Sequence, residues 1–397
     1  MTLSLQGATI FTPQEIIPHG VVIISDEGKI AHVGALETAP PAEGERLDLS
    51  GYWLIPGLMD IHVHGGNGIS FDLGGDGLGE RLAAYAAWVC QYGVTGFLCS
   101  IAAPEPDSLL RLIRCYVAVL EQGLPGAEAL GLHLEGPFLN PHKKGAFNPA
   151  WLHLPQVEWA KALLEAGRGW VRQITLAPEL PGALEVARVY RQAGVTVAMG
   201  HTDADYETAS AALRSQFNHV THAFNAQRGF DHRQPGALGA VLASDRVTAE
   251  VIADGVHVHE AAIKVLLRCL GVERVVLVSD AMPGAGLPDG TYDLAGNRVT
   301  LRDGKATLAD GTLAGSAALL SQCVRFVSRE VGLPLNQAVQ MASLNAARAI
   351  GLDGQLGSLQ VGKDASLTVI DKEIGVHLTM VKGKIVYARG VTGEAGR

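Results

Sequence analysis

The chain has 397 residues, 48% of them hydrophobic, enough for a large core and, by length alone, for two or three domains. Its net charge of −9, with no long Lys/Arg run, argues against a nucleic-acid footprint or a polybasic membrane contact. No apolar stretch is long enough to span a bilayer.

In chain order, the first 50 residues read as short strands. Val21 to Ser25 and Lys29 to Val33 flank the turn Asp26-Glu27-Gly28, a hairpin signal. Strand-like apolar runs then fall at 58–63, 94–100, 130–134, 173–177, 195–200, 219–223, 248–253 and 275–279. They alternate with helical periods at 81–91, 108–120, 183–193, 207–215, 259–270 and 319–331. Eight such runs predict an α/β chain with a (β/α)8 TIM-like barrel. A small β insertion is expected at 292–312, where Gly296-Asn297, Asp303-Gly304 and Asp310-Gly311 mark turns. Strands return near 366–370, 377–381 and 384–388, with Lys382-Gly383 as a turn. The expected division is a small β-sandwich domain from both chain ends, 1–54 and 358–397, around a barrel at 55–357.

The five cysteines, Cys90, Cys99, Cys115, Cys269 and Cys323, show no CxxC spacing and are odd in number. All five are expected to be reduced, buried small side chains in a cytoplasmic protein. The N-terminus lacks a charged region followed by an apolar one, so no signal peptide is expected.

Six side chains end these apolar runs: His62 and His64 after Leu58, Glu135 after Leu130, His201 after Val195, His222 after Val220, and Asp280 after Val275. Period-two spacing puts His62 and His64 on one face of a strand. The ends of barrel strands are where such folds place their chemistry. Imidazoles with carboxylates suit Zn²⁺ or Fe²⁺, with Mn²⁺ or Co²⁺ also acceptable, and a bound ion makes water nucleophilic near neutral pH. The chain therefore reads as a metallohydrolase. Asn225, Arg233 and His257, in loops near the same face, are candidates for binding an anion such as phosphate. Gly65-Gly66-Asn67-Gly68 lacks dinucleotide-loop spacing and follows His-x-His, so no nucleotide fold is expected.

Several stretches carry a family resemblance: Gly-Leu-His-Leu-Glu-Gly-Pro at 131–137, Lys-Lys-Gly-Ala at 143–146 and Thr-His-Ala-Phe-Asn-Ala at 221–226. Ile-Ala-Asp-Gly-Val-His at 252–257, Ser-Asp-Ala at 279–281 and Thr-Leu-Ala-Gly-Ser at 312–316 extend it. The chain resembles the amidohydrolase superfamily and, within it, the N-acetylglucosamine-6-phosphate deacetylase family. The resemblance implies hydrolysis of an N-acetylated amino-sugar phosphate by a metal-activated water. Carried over by position, Glu135, His201 and His222 hold a principal ion. His62, His64 and Asp280 hold a second, with Glu135 as a bridge and Asp280 as general base. Ala146, Asn225, Ala226, His257 and the loop Leu313-Ala314-Gly315 contact the substrate. Arg233 reaches the phosphate from a neighbouring subunit, which implies a homodimer. Two departures stand out: Phe147 where the family commonly has His, and Gln227 after Asn225-Ala226 where it has Met. The alternatives are another amidohydrolase, acting on a different N-acyl amino-sugar phosphate or a cyclic amide, and a catalytically inactive barrel assembly protein.

Overall fold

A computed structural model describes residues 2–41, 44–102 and 105–391. Eight parallel strands follow one another in chain order: β1 (Leu58–Val63), β2 (Val94–Ile101), β3 (Glu128–Glu135), β4 (Val171–Leu176), β5 (Thr196–Met199), β6 (His219–Val220), β7 (Thr248–Ile252) and β8 (Val275–Val278). Each pairs in parallel with its successor. The last returns to the first where Asp280 N–H donates to His62 O at 2.9 Å and Ser279 N–H to Asp60 Oδ1 at 3.2 Å. The expected barrel is therefore present, and its C-terminal rim gathers the ends of all eight strands.

Helices α1 (Leu78–Val89), α2 (Pro106–Leu120), α3 (Val157–Gly167), α4 (Ala183–Gln192), α5 (Tyr206–Arg214), α6 (Gly236–Leu242), α7 (Glu260–Leu270) and α8 (Leu320–Phe326) follow the strands in turn. In α2, Pro106 sits in the first turn, where its missing N–H costs nothing. The buried stripe Leu109, Leu112, Ile113, Tyr116, Val117 and Leu120 faces the sheet. The sequence reading missed α3 and α6. In α3 the buried face is marked mostly by Ala160, Ala166 and Gly167 rather than large side chains. In α6 six of seven residues are buried, so no polar face creates a period. The helix expected over 319–331 ends at Phe326 and continues as a π-turn, Val327–Val331.

The chain ends build two further sheets. Residues 30–35, 20–24, 2–6 and 44–48 form one. The other runs 384–388, 376–381, 367–370, 53–56, 9–11 and 16–17, so Trp53–Pro56 lies antiparallel to Leu367–Ile370. This interleaving ties both ends of the chain together immediately before β1. The expected insertion is a three-stranded antiparallel sheet, Gly290–Leu294, Asn297–Arg302 and Lys305–Thr307. The barrel floor is sealed by Met59, Ile61, Leu98, Leu130, Ile252, Val276 and Val278 against Ala346, Ala347 and Ile350.

The cysteines need one correction. All are free, and Cys90, Cys99 and Cys323 are buried, but Cys115 is half-buried and Cys269 exposed. Cys269 lies on α7 off the buried stripe Ile263, Leu266 and Leu270, so the helix turns it to water. Among the described residues, no helix is long and apolar enough to cross a membrane.

Candidate metal centre

The six residues singled out at strand ends meet at one end of the barrel. Ligand-type atoms of His62, His64 and Asp280 lie within 4.8 Å of one another, as do those of Glu135, His201 and His222. Glu135, at the end of β3, stands between the two groups. Its Oε1 is 3.1 Å from both His201 Nε2 and His222 Nε2, and its Oε2 is 3.0 Å from His64 Nε2. Asp280 Oδ1 lies 3.4 Å from the Nε2 atoms of both His62 and His64.

Local backbone explains why these side chains turn inward. His201, His222 and Asp280 all have positive φ (46°, 27° and 50°), each just after a barrel strand. Non-glycine residues rarely adopt this conformation, and they cluster at functional sites where surrounding structure holds them. Asp280 is held by its own N–H to His62 O and by Ser316 N–H to its carbonyl. After His64 only glycine fits: at Gly65, with φ 144°, an added Cβ would lie 1.9 Å from Ile69 O. The β6 run stops at Val220, short of the expected 219–223, because the chain turns through His222, Phe224 and Ala226 at positive φ.

The donor set fits a cation. His201 Nε2 and His222 Nε2 face each other at 3.1 Å, and both face the Glu135 carboxylate. Two imidazole nitrogens at that separation cannot each present a lone pair to the other without cost, whereas a cation between them accepts both. His201 Nδ1 lies 2.8 Å from Lys143 O, which fixes Nδ1 as the protonated nitrogen and leaves Nε2 with a lone pair for a cation. His62 Nε2 is buried, has no hydrogen-bond partner and points at the same cluster. Burial opposes ionisation of Glu135, but facing His62, His201 and His222 outweighs it and holds its pKa well below the usual range. Asp280 is likewise depressed: burial works against its charge, and His62 and His64 override it.

Around the cluster lies a cavity of about 340 Å³. Of the residues expected to contact substrate, Ala146, Asn225, Ala226, His257, Leu313 and Gly315 line it, as do His64, Glu135, His201, His222 and Asp280. His62 lies beneath, fully buried. Ala314 is not on the wall; it is buried among Met282, Leu294 and Val299. Arg233 is exposed and not part of the lining. Phe147 does line the cavity, its ring edge-on to His201 at 5.2 Å between centroids. His142 and Lys143 add basic groups to the wall. Asp203 pairs with Lys143 at 3.6 Å and grips Arg228 through two bonds of 3.1 and 2.8 Å. His257 Nδ1 lies 2.7 Å from Asp254 Oδ2. Burial would lower the His257 pKa, but this partner raises it and leaves Nε2 for a ligand.

The sequence reading missed Glu250, His219 and Gln173, all fully buried behind the centre. The signal was an acid inside the apolar run of β7, since a fully buried Glu is rare unless paired.

A model of the amidohydrolase family matches residues 53–386. The chain is 35% identical, over 97% of both chains, to the N-acetylglucosamine-6-phosphate deacetylase of Bacillus subtilis. It is also 35% identical to the N-acetylgalactosamine-6-phosphate deacetylase of Escherichia coli O157:H7, over 97% of this chain and 99% of that one. Among solved structures, a variant of the N-acetyl-D-glucosamine-6-phosphate deacetylase of Mycobacterium smegmatis, in complex with N-acetyl-D-glucosamine-6-phosphate, superposes with a TM-score of 0.90. It is 35% identical, with 98% of this chain and 99% of that one covered.

Proposed function

This chain belongs to the amidohydrolase family, and we propose that it hydrolyses N-acetylglucosamine 6-phosphate to glucosamine 6-phosphate and acetate. The observation that carries the reading is the convergence of His62, His64 and Asp280 on one side of Glu135 and of His201 and His222 on the other, at the base of a cavity sized for one sugar. Near-full-length similarity to deacetylases of amino-sugar phosphates gives the substrate class.

Glu135, His201 and His222 would hold one divalent ion, and His62, His64 and Asp280 a second, with Glu135 shared. Imidazole and carboxylate donors favour zinc or iron and also accept manganese or cobalt. Such an ion supplies a Lewis acid that lowers the pKa of water from about 15.7 towards about 7 and polarises an amide carbonyl. Asp280 takes a proton from the attacking water as its oxygen bonds to the acetyl carbon. When the C–N bond breaks, Asp280 returns that proton to the departing amine nitrogen. Asn225, the Ala226 backbone and His257 bind the phosphate, while Ala146 and the segment Leu313-Ala314-Gly315 enclose the sugar. Arg233 reaches a phosphate only if a second copy of the chain brings it there, which is the case for a homodimer. Five free cysteines fit a reducing, cytoplasmic setting.

Similarity to an N-acetylgalactosamine-6-phosphate deacetylase supports a second reading, the 4-epimer of the same substrate. Amine release from the two phosphorylated epimers, with unphosphorylated N-acetylglucosamine as control, decides. Fast release from the gluco epimer alone supports the main reading, and preference for the galacto epimer replaces it. Equal release from the unphosphorylated sugar removes the phosphate pocket.

A further inference from the structure

Behind the centre, at 0% exposure, the Glu250 carboxylate accepts four hydrogen bonds. Its Oε1 accepts from Gln173 Nε2 at 2.7 Å and from His219 Nε2 at 3.1 Å. Its Oε2 accepts from His62 Nδ1 at 2.8 Å and from the backbone N–H of His222 at 3.1 Å. A carboxylate has about four acceptor positions, so Glu250 is fully used by protein donors and has none left for substrate or water. His219 is itself anchored through Nδ1 to Thr248 Oγ1 at 2.6 Å, which fixes the far side of the network.

Ionised Glu250 only accepts, so the His62 nitrogen facing it must carry a proton. The other nitrogen, Nε2, then points away from Glu250 towards Glu135 and Asp280, 3.4 Å from an oxygen of each. The same Oε2 secures the backbone of His222, a residue of the other ligand group held at positive φ. One buried carboxylate therefore touches both halves of the centre without reaching the cavity.

We propose that Glu250 is the positioning residue that locks His62 as the Nδ1–H form and so makes Nε2 a ligand for the ion shared with His64 and Asp280. The proposal rests on reading that cluster as a metal centre. A purely structural Glu250 would stabilise the barrel equally whether residue 62 were a ligand or not. A positioning Glu250 acts through His62.

The test is zinc titration of the metal-free full chain, followed by calorimetry and by metal content after dialysis, for wild type, Glu250→Gln, His62→Gln and the double variant. The expected result is that Glu250→Gln weakens one ion by roughly 10- to 100-fold, the usual effect of removing such a partner. In the His62→Gln background the same change has little further effect. Equal weakening with and without His62, or none in either, overturns the proposal. If the wild type itself takes up no ion, the metal-centre reading fails instead. Should Glu250→Gln not fold, Glu250→Asp keeps the charge while withdrawing the acceptor from His62, and the same cycle applies. A measurement that leaves Glu250 intact uses zinc-loaded wild type labelled with ¹⁵N at histidine. The resonance lost in His62→Gln must show the proton on Nδ1, and a proton on Nε2 overturns the proposal.

Discussion

The Glu135 carboxylate and the His64 imidazole meet at 3.0 Å, Oε2 to Nε2, while the other oxygen of the same carboxylate serves His201 and His222. One side chain at the end of β3 thus joins the histidine pair of β1 to the histidines following β5 and β6. Glu135→Gln is expected to lower bound metal at both groups, not at one, and to reduce kcat/KM by at least a hundredfold. Metal analysis after dialysis checks this, and loss of a single ion would refute the bridging role.

In the proposed mechanism Asp280 both holds an ion and carries the proton. Asp280→Asn should lower kcat by about 10²- to 10⁴-fold, the usual worth of general acid–base catalysis, while the ion at Glu135, His201 and His222 stays bound. Near-normal turnover would remove Asp280 as the base.

His257 gives the pH dependence. Its pKa is raised by Asp254, and that of Asp254 is lowered by His257. For the histidine, the raised folded pKa means its contribution is complete below the unfolded value near 6.5 and fades as pH rises through the folded value. The aspartate contribution is complete above its unfolded value near 3.9 and fades as pH falls through the depressed one. The charged pair is therefore intact from mildly acid to neutral pH. KM for the phosphorylated sugar should rise on the alkaline side, and His257→Gln should flatten that rise. The profile is best taken above pH 7, where the phosphate group is already mostly dianionic. An unchanged slope in the variant would take His257 out of the anion site.

Phe147 packs edge-on to His201 and forms part of the apolar wall with Leu294 and Leu313. Phe147→Ala should cost about 3 kcal/mol of stability, read from denaturant unfolding. It should also raise the ratio of kcat/KM for N-propionyl over N-acetyl substrate by about tenfold, since one added methylene is worth roughly that much in a matched pocket. An unchanged ratio would place the acyl group elsewhere in the cavity.

The barrel and the six residues at its rim were legible because each rests on local pattern. A buried parallel strand is a continuous apolar run, and a polar residue ending it, such as His201 after Met199 or Asp280 after Val278, is visible without any partner. His62 and His64 were paired by strand periodicity alone, and the hairpin around Asp26-Glu27-Gly28 by its turn residues. Helix α6 was not legible, because burial on nearly every side leaves no polar face to mark a period. Tertiary structure alone decided which residues face one another. Only closure of β8 against β1 puts Asp280 beside His62, residues 218 positions apart in sequence. Tertiary structure likewise leaves Arg233 outside the cavity and Ala314 under its wall. Glu250 was hidden for the same reason: a lone acid in a strand becomes intelligible only when Gln173, His219, His222 and His62, from three other segments, supply its four donors. Pattern along a chain reports what each segment must bury. Hydrogen bonds between distant segments depend on the folded geometry, and no local pattern encodes them.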